Sequence, residues 1–482
     1  MIYPSLEEAK EILKGGDYRR IPIKMEFGSD MLTPMMVVFR LKKASSHVFM
    51  LESAEADKKW GRYTFLGYNP TMELSCKDGA HPKETIRTIL SENRAPVVKD
   101  MPPFAGGLVG YFAYDYIKYS EPTLDLSAED TESFKDVDLM LFDKVIVFDN
   151  YLQKVILIVN IPAKDIDAEY GRGTAELMKM KELVTQGEFC KNPPLEFKSD
   201  FRYLFSEKEY CDMVEKAKHY IREGDIFQIV LSNRIEADIR GSLLDTYRAL
   251  RMTNPSPYMF YFSSDDIEIA GASPETLVKL ENKELHTYPL AGTRKRGENL
   301  EEDLRLEAEL LSDEKELAEH NMLVDLGRND IGKISKIGSV EVEKYMNIER
   351  YSHVMHIGST VRGEIRDDCD ALDAIDSILP AGTLSGAPKL RACELICELE
   401  NNKRGIYGGA IGYIDFSGNL DTCIAIRLAF SKNGKVFVRS GAGIVADSVP
   451  VNEYNECINK AKAVMNALKL AEGGLFYDTS DR

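Results

Sequence analysis

Residues 411–438, IGYIDFSGNLDTCIAIRLAFSKNGKVFV, contain three strand-like runs, 411–416, 422–430 and 435–438, each carrying Ile, Val or Phe. These residue types fit the pleated, half-buried surface of a strand. Further back, similar runs recur at 227–231 and 258–262, and shorter ones, mixed with turn residues, at 37–41, 48–51, 145–148 and 155–159. Around 172–186, in GTAELMKMKELVTQ, the period becomes helical, and long helical patterns occupy 299–327 and 450–471. Clustered strands with interspersed long helices predict an α+β fold with largely antiparallel sheets. The stretch QGEFCKNPPLEFKSD, with its Gly and tandem Pro, reads as a surface linker. Ser206 reads as the N-cap of the amphipathic helix that follows it. The expected organisation is an N-terminal region over 1–185, a linker over 186–204, a second domain over 205–472 and a tail over 473–482.

The 482 residues are 44% apolar and 29% charged, the balance of a globular protein. A net charge of −18 argues against nucleic acid as a partner, since phosphate binding needs clustered Lys and Arg. No run approaches the roughly 20 apolar residues that span a bilayer. The N-terminus, MIYPSLEEAKEILKGG, lacks a basic region followed by an apolar stretch. Neither a membrane nor secretion is therefore expected. The eight cysteines are dispersed without a CxxC pair, which disfavours a disulfide framework or zinc site and predicts a reducing, cytoplasmic setting.

Two helical patterns carry paired carboxylates three residues apart: Glu316 with Glu319, and Glu453 with Glu456. Residues at that spacing share one helix face. If the helices approach, four oxygen-rich side chains can hold a hard cation such as Mg2+, which favours carboxylates and an anionic substrate as ligands. In a chain this acidic, however, a solvated face explains most such pairs. Context adds weight here. Glu316 and Glu319 border the apolar Leu317, Ala318, Met322, Leu323 and Leu326. The second pair follows GAGIVADSVP, a glycine-rich turn whose N–H groups suit a carboxylate.

The ordered series ELAEHNMLVDLGRNDIG (316–332), HIGSTVRG (356–363), LPAGTLSGAPKLRA (379–392), GIYGGAIGYIDFSGNLDTCIAIRLAF (405–430) and GAGIVADSVPVNEYNECINKA (441–461) resembles the chorismate-binding family over most of 205–470. The resemblance implies packed antiparallel sheets with helices outside, and a cleft holding one Mg2+ bound by Glu316, Glu319, Glu453 and Glu456. It implies that Tyr407 and Arg427 contact the enolpyruvyl carboxylate, with the backbone of Gly441, Ala442 and Gly443 and the charge of Lys460 completing that pocket. Arg suits a planar carboxylate, and glycines allow close backbone approach. His356 would assist elimination at the ring, Thr383 would hydrogen-bond substrate, and Glu275 would protonate the departing C4 hydroxyl, a role that needs a raised pKa. On residues alone, packing, turn or helix-start roles compete for these positions.

Two positions narrow the activity. In YPLAGTRKRG, Ala291 stands where members that form 4-amino-4-deoxychorismate carry a nucleophilic lysine, and alanine cannot be a nucleophile. In DIFQIVLSNR, Gln228 replaces the lysine base of water-adding members. The expected reaction is direct amination of chorismate at C2 by ammonia with loss of pyruvate, a carbon–oxygen lyase reaction, with Gly292 and Thr293 as further substrate contacts. The 4-amino-4-deoxychorismate activity and a non-catalytic tryptophan-binding regulator are the alternatives. LESAEADKKWGRYTFLG (51–67) and NPSPYMFYF (254–262) resemble tryptophan-sensing elements, which implies an inhibitory pocket lined by Glu52, Ser53, Pro257, Tyr258 and Met259. No glutamine-amidotransferase motif is present, so glutamine-derived ammonia implies a separate amidotransferase subunit.

Overall fold

Apolar residues at alternate positions decide which face each strand offers to which core. In the strand Val48–Glu52, Val48 and Met50 face one core and Phe49 another. The neighbouring strand Tyr258–Ser263 repeats the pattern, with Met259 and Tyr261 against Phe260 and Phe262. This double-sided burial requires layers. A computed structural model, describing residues 2–53, 61–79, 81–350 and 354–475, has two sheets of 14 and 10 strands with helices outside. Their inner faces share an aromatic-rich core containing the fully buried Phe49, Phe104, Phe142, Phe260 and Phe437. Each such ring contributes about 1.5–3 kcal/mol of burial. The sheets are antiparallel, and the expected α+β class is borne out.

Both sheets draw strands from either side of the 186–204 segment. In the larger sheet Val48–Glu52 pairs with Tyr258–Ser263; in the smaller, Gly107–Phe112 pairs with Ala410–Asp415. The Ser206 expectation holds: Ser206 and Glu209 form a reciprocal capping box on the helix Glu207–Glu223. The pattern at 450–471 is the helix Pro450–Ala471.

Three local readings are corrected. The run at 37–41 is not a strand but lies within the helix Pro34–Ala44. Thr33 accepts a hydrogen bond from the Met36 N–H, and Pro34 presets the first turn. The pattern at 299–327 is two helices, Leu300–Ser312 and Glu314–Gly332, because Asp313 accepts from the N–H groups of Lys315 and Glu316 and starts a new helix. The run at 422–430 is divided between Leu420–Ile424 in the smaller sheet and Leu428–Lys432 in the larger, with Arg427 in left-handed conformation (φ 53°) between them.

That last division positions the site. The chain also crosses between sheets after Glu268–Ser273, through Pro274 and Glu275, into Thr276–Glu281. The two crossovers run side by side: Ala272 N–H donates to Arg427 O at 3.0 Å and Ile424 N–H to Glu275 O at 2.9 Å.

Candidate functional site

Glu275 and Arg427 therefore come together from backbone geometry. Burial raises the Glu275 pKa, opposed by the Thr383 hydroxyl, which donates to Oε2 at 3.2 Å, and by the charges of Lys460 and Arg427. Burial also lowers the Arg427 pKa, opposed by Glu275 and Tyr407. Among the described residues the Arg427 side chain has no hydrogen-bond or ion-pair partner. A half-buried guanidinium without a protein partner suits an anionic ligand. On one side of Glu275 lies a cleft whose lining includes Thr276, Tyr288, Leu323, Asp330 and Thr383.

His356 is held from the strand Leu290–Lys295, which pairs with Val354–Glu364. Its Nδ1 lies 2.8 Å from Gly292 O and 3.1 Å from Thr293 Oγ1. A carbonyl only accepts, so Nδ1 carries the proton and Nε2 keeps its lone pair in the neutral ring. Burial lowers the His356 pKa, against the Gly292 bond and with help from Arg427, so the neutral form is favoured. Gly292 has φ 64°, and a Cβ there would fall 3.2 Å from Glu316 Oε2, so this turn abuts the first carboxylate pair. Ala291 is 9% exposed and pairs with Ile357.

Close backbone approach explains the small residues of 441–443. A Cβ on Gly443 would meet Gln228 Nε2 at 2.9 Å; one on Gly441 would meet the Tyr407 hydroxyl at 3.1 Å. Ala442 is fully buried in the core cluster that also holds Tyr210. Burial pushes the Tyr407 hydroxyl up, so it remains a donor. Lys460 Nζ donates to Gly441 O at 3.2 Å and pairs with Glu456 at 2.8 Å.

The four glutamates lie on the helices Glu314–Gly332 and Pro450–Ala471. Burial raises the Glu319 pKa, reinforced by Glu316 and Glu456; burial raises that of Glu453, reinforced by Glu456. Glu456 acts on Glu319, and Lys315 on Glu453, so each helix feels a charge of the other. The four side chains offer only oxygens, the donor type a hard cation takes, while Lys315 and Lys460 oppose the rise at Glu319 and Glu453. Arg294 lies 3.5 Å from Glu316. Among the described residues, the carboxylate trio with oxygens all within 4.8 Å is a different one, Glu73, Asp138 and Asp266. Lys135 Nζ sits 3.2–3.4 Å from each of those three, so an ammonium already neutralises them.

A second cleft is lined by all five residues expected for tryptophan: Glu52, Ser53, Pro257, Tyr258 and Met259. Glu52 is not open there, because it accepts from Tyr247 (2.5 Å) and Arg251 (2.6 Å). Residues 54–60 of that motif, including Lys58 and Lys59, lie outside the described residues. Sequence reasoning missed Asp421, which lines this cleft, and the buried pair Asp330–Lys389 (2.8 Å) beside the other. Both members of that pair fall inside quoted motifs, but nothing in their spacing signals contact.

Comparison with known proteins completes the site's description. The profile of the family described as chorismate binding enzyme matches residues 47–466. Anthranilate synthase component 1 of Acetivibrio thermocellus is 47% identical over 98% of this chain and 99% of its own; that of Aquifex aeolicus is 46% identical over 97% and 98%. The crystal structure of anthranilate synthase component I from Streptococcus pneumoniae is 38% identical, covers 91% of this chain and 98% of its own, and superposes with a TM-score of 0.75. The menaquinone-specific isochorismate synthase of Escherichia coli, at 17% identity and TM-score 0.71, shares the fold. The chain belongs to the chorismate-binding enzymes, in their anthranilate synthase component 1 branch.

Proposed function

We propose that the chain is the chorismate-aminating subunit of an anthranilate synthase, which makes anthranilate and pyruvate from chorismate and ammonia as the first step toward tryptophan. The observation that carries this reading is the opposite bias of two groups beside Arg427. Burial biases Glu275 toward its protonated form and His356 toward its neutral form, with Nδ1 facing the Gly292 carbonyl. Burial thus favours the acid form of one group and the base form of the other, the two roles that proton transfer here requires.

In this reading Arg427, Tyr407, Lys460 and the backbone at 441–443 grip the enolpyruvyl carboxylate. Ammonia adds to C2, the ring double bonds shift, and Glu275 gives its proton to the C4 hydroxyl, which departs as water. Thr383 then stabilises the Glu275 carboxylate. His356 Nε2 takes the C2 proton, and loss of the enolpyruvyl group as pyruvate leaves the aromatic ring. Glu316, Glu319, Glu453 and Glu456 would hold Mg2+, which would supply positive charge to orient the ring carboxylate. Gln228 and Ala291 favour amination by free ammonia, since neither offers a lysine base or nucleophile.

A separate glutamine amidotransferase subunit would supply ammonia, and tryptophan in the second cleft would inhibit. The eight free cysteines suit a cytoplasmic setting, and no described helix is long and apolar enough to cross a membrane. The test is a product assay with chorismate, Mg2+ and ammonium, with and without tryptophan. Fluorescent anthranilate, suppressed by tryptophan, is expected; 4-amino-4-deoxychorismate or no turnover would overturn the reading.

A further inference from the structure

Behind the site lies an ion cluster that none of these roles uses. Glu400 ends the helix Lys389–Glu400, Asn401 turns the chain in left-handed conformation (φ 39°), and Arg404 folds back inward. Both side chains are 1% exposed, unlike an ordinary i,i+4 pair on a helix surface. Arg404 donates to Glu400 from Nε (3.0 Å) and Nη2 (2.6 Å). Two charges this deep are tolerated only when their remaining donors and acceptors are satisfied.

The remaining bonds reach the Leu384 turn and the strand Gln228–Arg240. Arg404 Nη1 donates to Leu384 O at 2.6 Å, next to Thr383. Nη2 donates to Val230 O at 2.7 Å, two residues beyond Gln228. The guanidinium carbon lies 5.9 Å from the centre of the Tyr407 ring. Glu400 Oε1 accepts from the Ser232 N–H at 2.7 Å, and Ser232 is the register partner of Gly441. Arg439, two residues before Gly441, approaches Glu400 at 3.4 Å.

We propose that Arg404, backed by Glu400, is a positioning residue for chorismate: its planar fork fixes the Thr383 turn, the Gln228 strand and the Tyr407 ring in one frame. The proposal rests on the reading of the site given above. A lysine would keep the charge but could not reproduce a rigid fork with five donors.

The test compares wild type, Arg404→Lys and the uncharged pair Arg404→Met with Glu400→Leu in one variant, by thermal melting and by steady-state turnover of chorismate with ammonium and Mg2+. Both variants are expected to melt cooperatively, with KM for chorismate raised about tenfold or more and KM for ammonium nearly unchanged. Wild-type kinetics in a folded Arg404→Lys, or full activity in the uncharged double variant, would overturn the positioning role. Failure of every variant to fold would also reject it, assigning the pair to the fold alone. Wild-type enzyme that does not turn over chorismate would instead defeat the proposed function, so the two failures are distinguishable.

Discussion

The phenolic oxygen of Tyr258 lies 3.0 Å from Thr276 Oγ1, and the same hydroxyl donates to Asp421 Oδ1 at 2.9 Å. Tyr258 lines the second cleft and Thr276 lines the first, one residue from Glu275. A single hydrogen bond thus spans the wall between the two clefts, the one proposed for tryptophan and the one beside Glu275. Coupling between sites amounts to about 1–3 kcal/mol in typical cases. Tyr258→Phe, which keeps the ring, is expected to raise the tryptophan concentration for half-inhibition about tenfold. Uninhibited turnover should stay near wild type. An inhibition curve that does not move would remove this bond from the coupling.

The buried acid gives a pH prediction. Because the Glu275 pKa is raised, the proton needed for C4 departure is lost as pH climbs through that raised value, so kcat falls on the alkaline side. The Thr383 hydroxyl, Lys460 and Arg427 all face Glu275 and favour its charged form. Thr383→Val removes one of these, so the alkaline limb should move to higher pH even as the maximal rate declines. Glu275→Gln should cost about 10²–10⁴-fold in kcat, the usual range for a positioned acid. A pH–rate profile of Thr383→Val that overlays wild type would contradict this link.

Removal of one carboxylate from either helix tests the cation site. Glu319→Ala and Glu456→Ala are each expected to abolish turnover and weaken Mg2+ binding in calorimetry, with circular dichroism unchanged. Full activity in either variant rules that glutamate out as a ligand. Chelation of wild type should stop turnover, and added Mg2+ should restore it.

A stability prediction concerns Thr33. Thr33→Ala deletes the side-chain acceptor for the Met36 N–H and should cost about 1 kcal/mol. Urea unfolding would show it as a lower midpoint at constant slope.

How far the sequence reveals this molecule varies with the range of the forces involved. Local signals read well: Ser206 gave a cap, and the run 450–471 a helix, because both depend on neighbours within a turn. The run 37–41 misled because a short apolar stretch suits either element, and the deciding signal was Thr33-Pro34 just before it. The break in 422–430 depends on Arg427 adopting a left-handed backbone between two sheets, which no periodicity reports. At the site, the motif series pointed to Glu275 and Arg427, but only paired crossovers explain why they adjoin. Glu400 and Arg404 were invisible for a different reason: four residues apart in LENNKR, they resemble a solvated ion pair, and only the left-handed Asn401 turns them inward.

The interleaving of strands from both ends of the chain limits how this protein can be divided. A fragment beginning after residue 204 would lose Val48–Glu52 from beside Tyr258–Ser263 and Gly107–Phe112 from beside Ala410–Asp415. Two apolar strand edges, one in each layer, would then lie bare, and bare edges recruit other chains. During synthesis the first 200 or so residues are made before those edges exist, so each edge can be covered as soon as it forms.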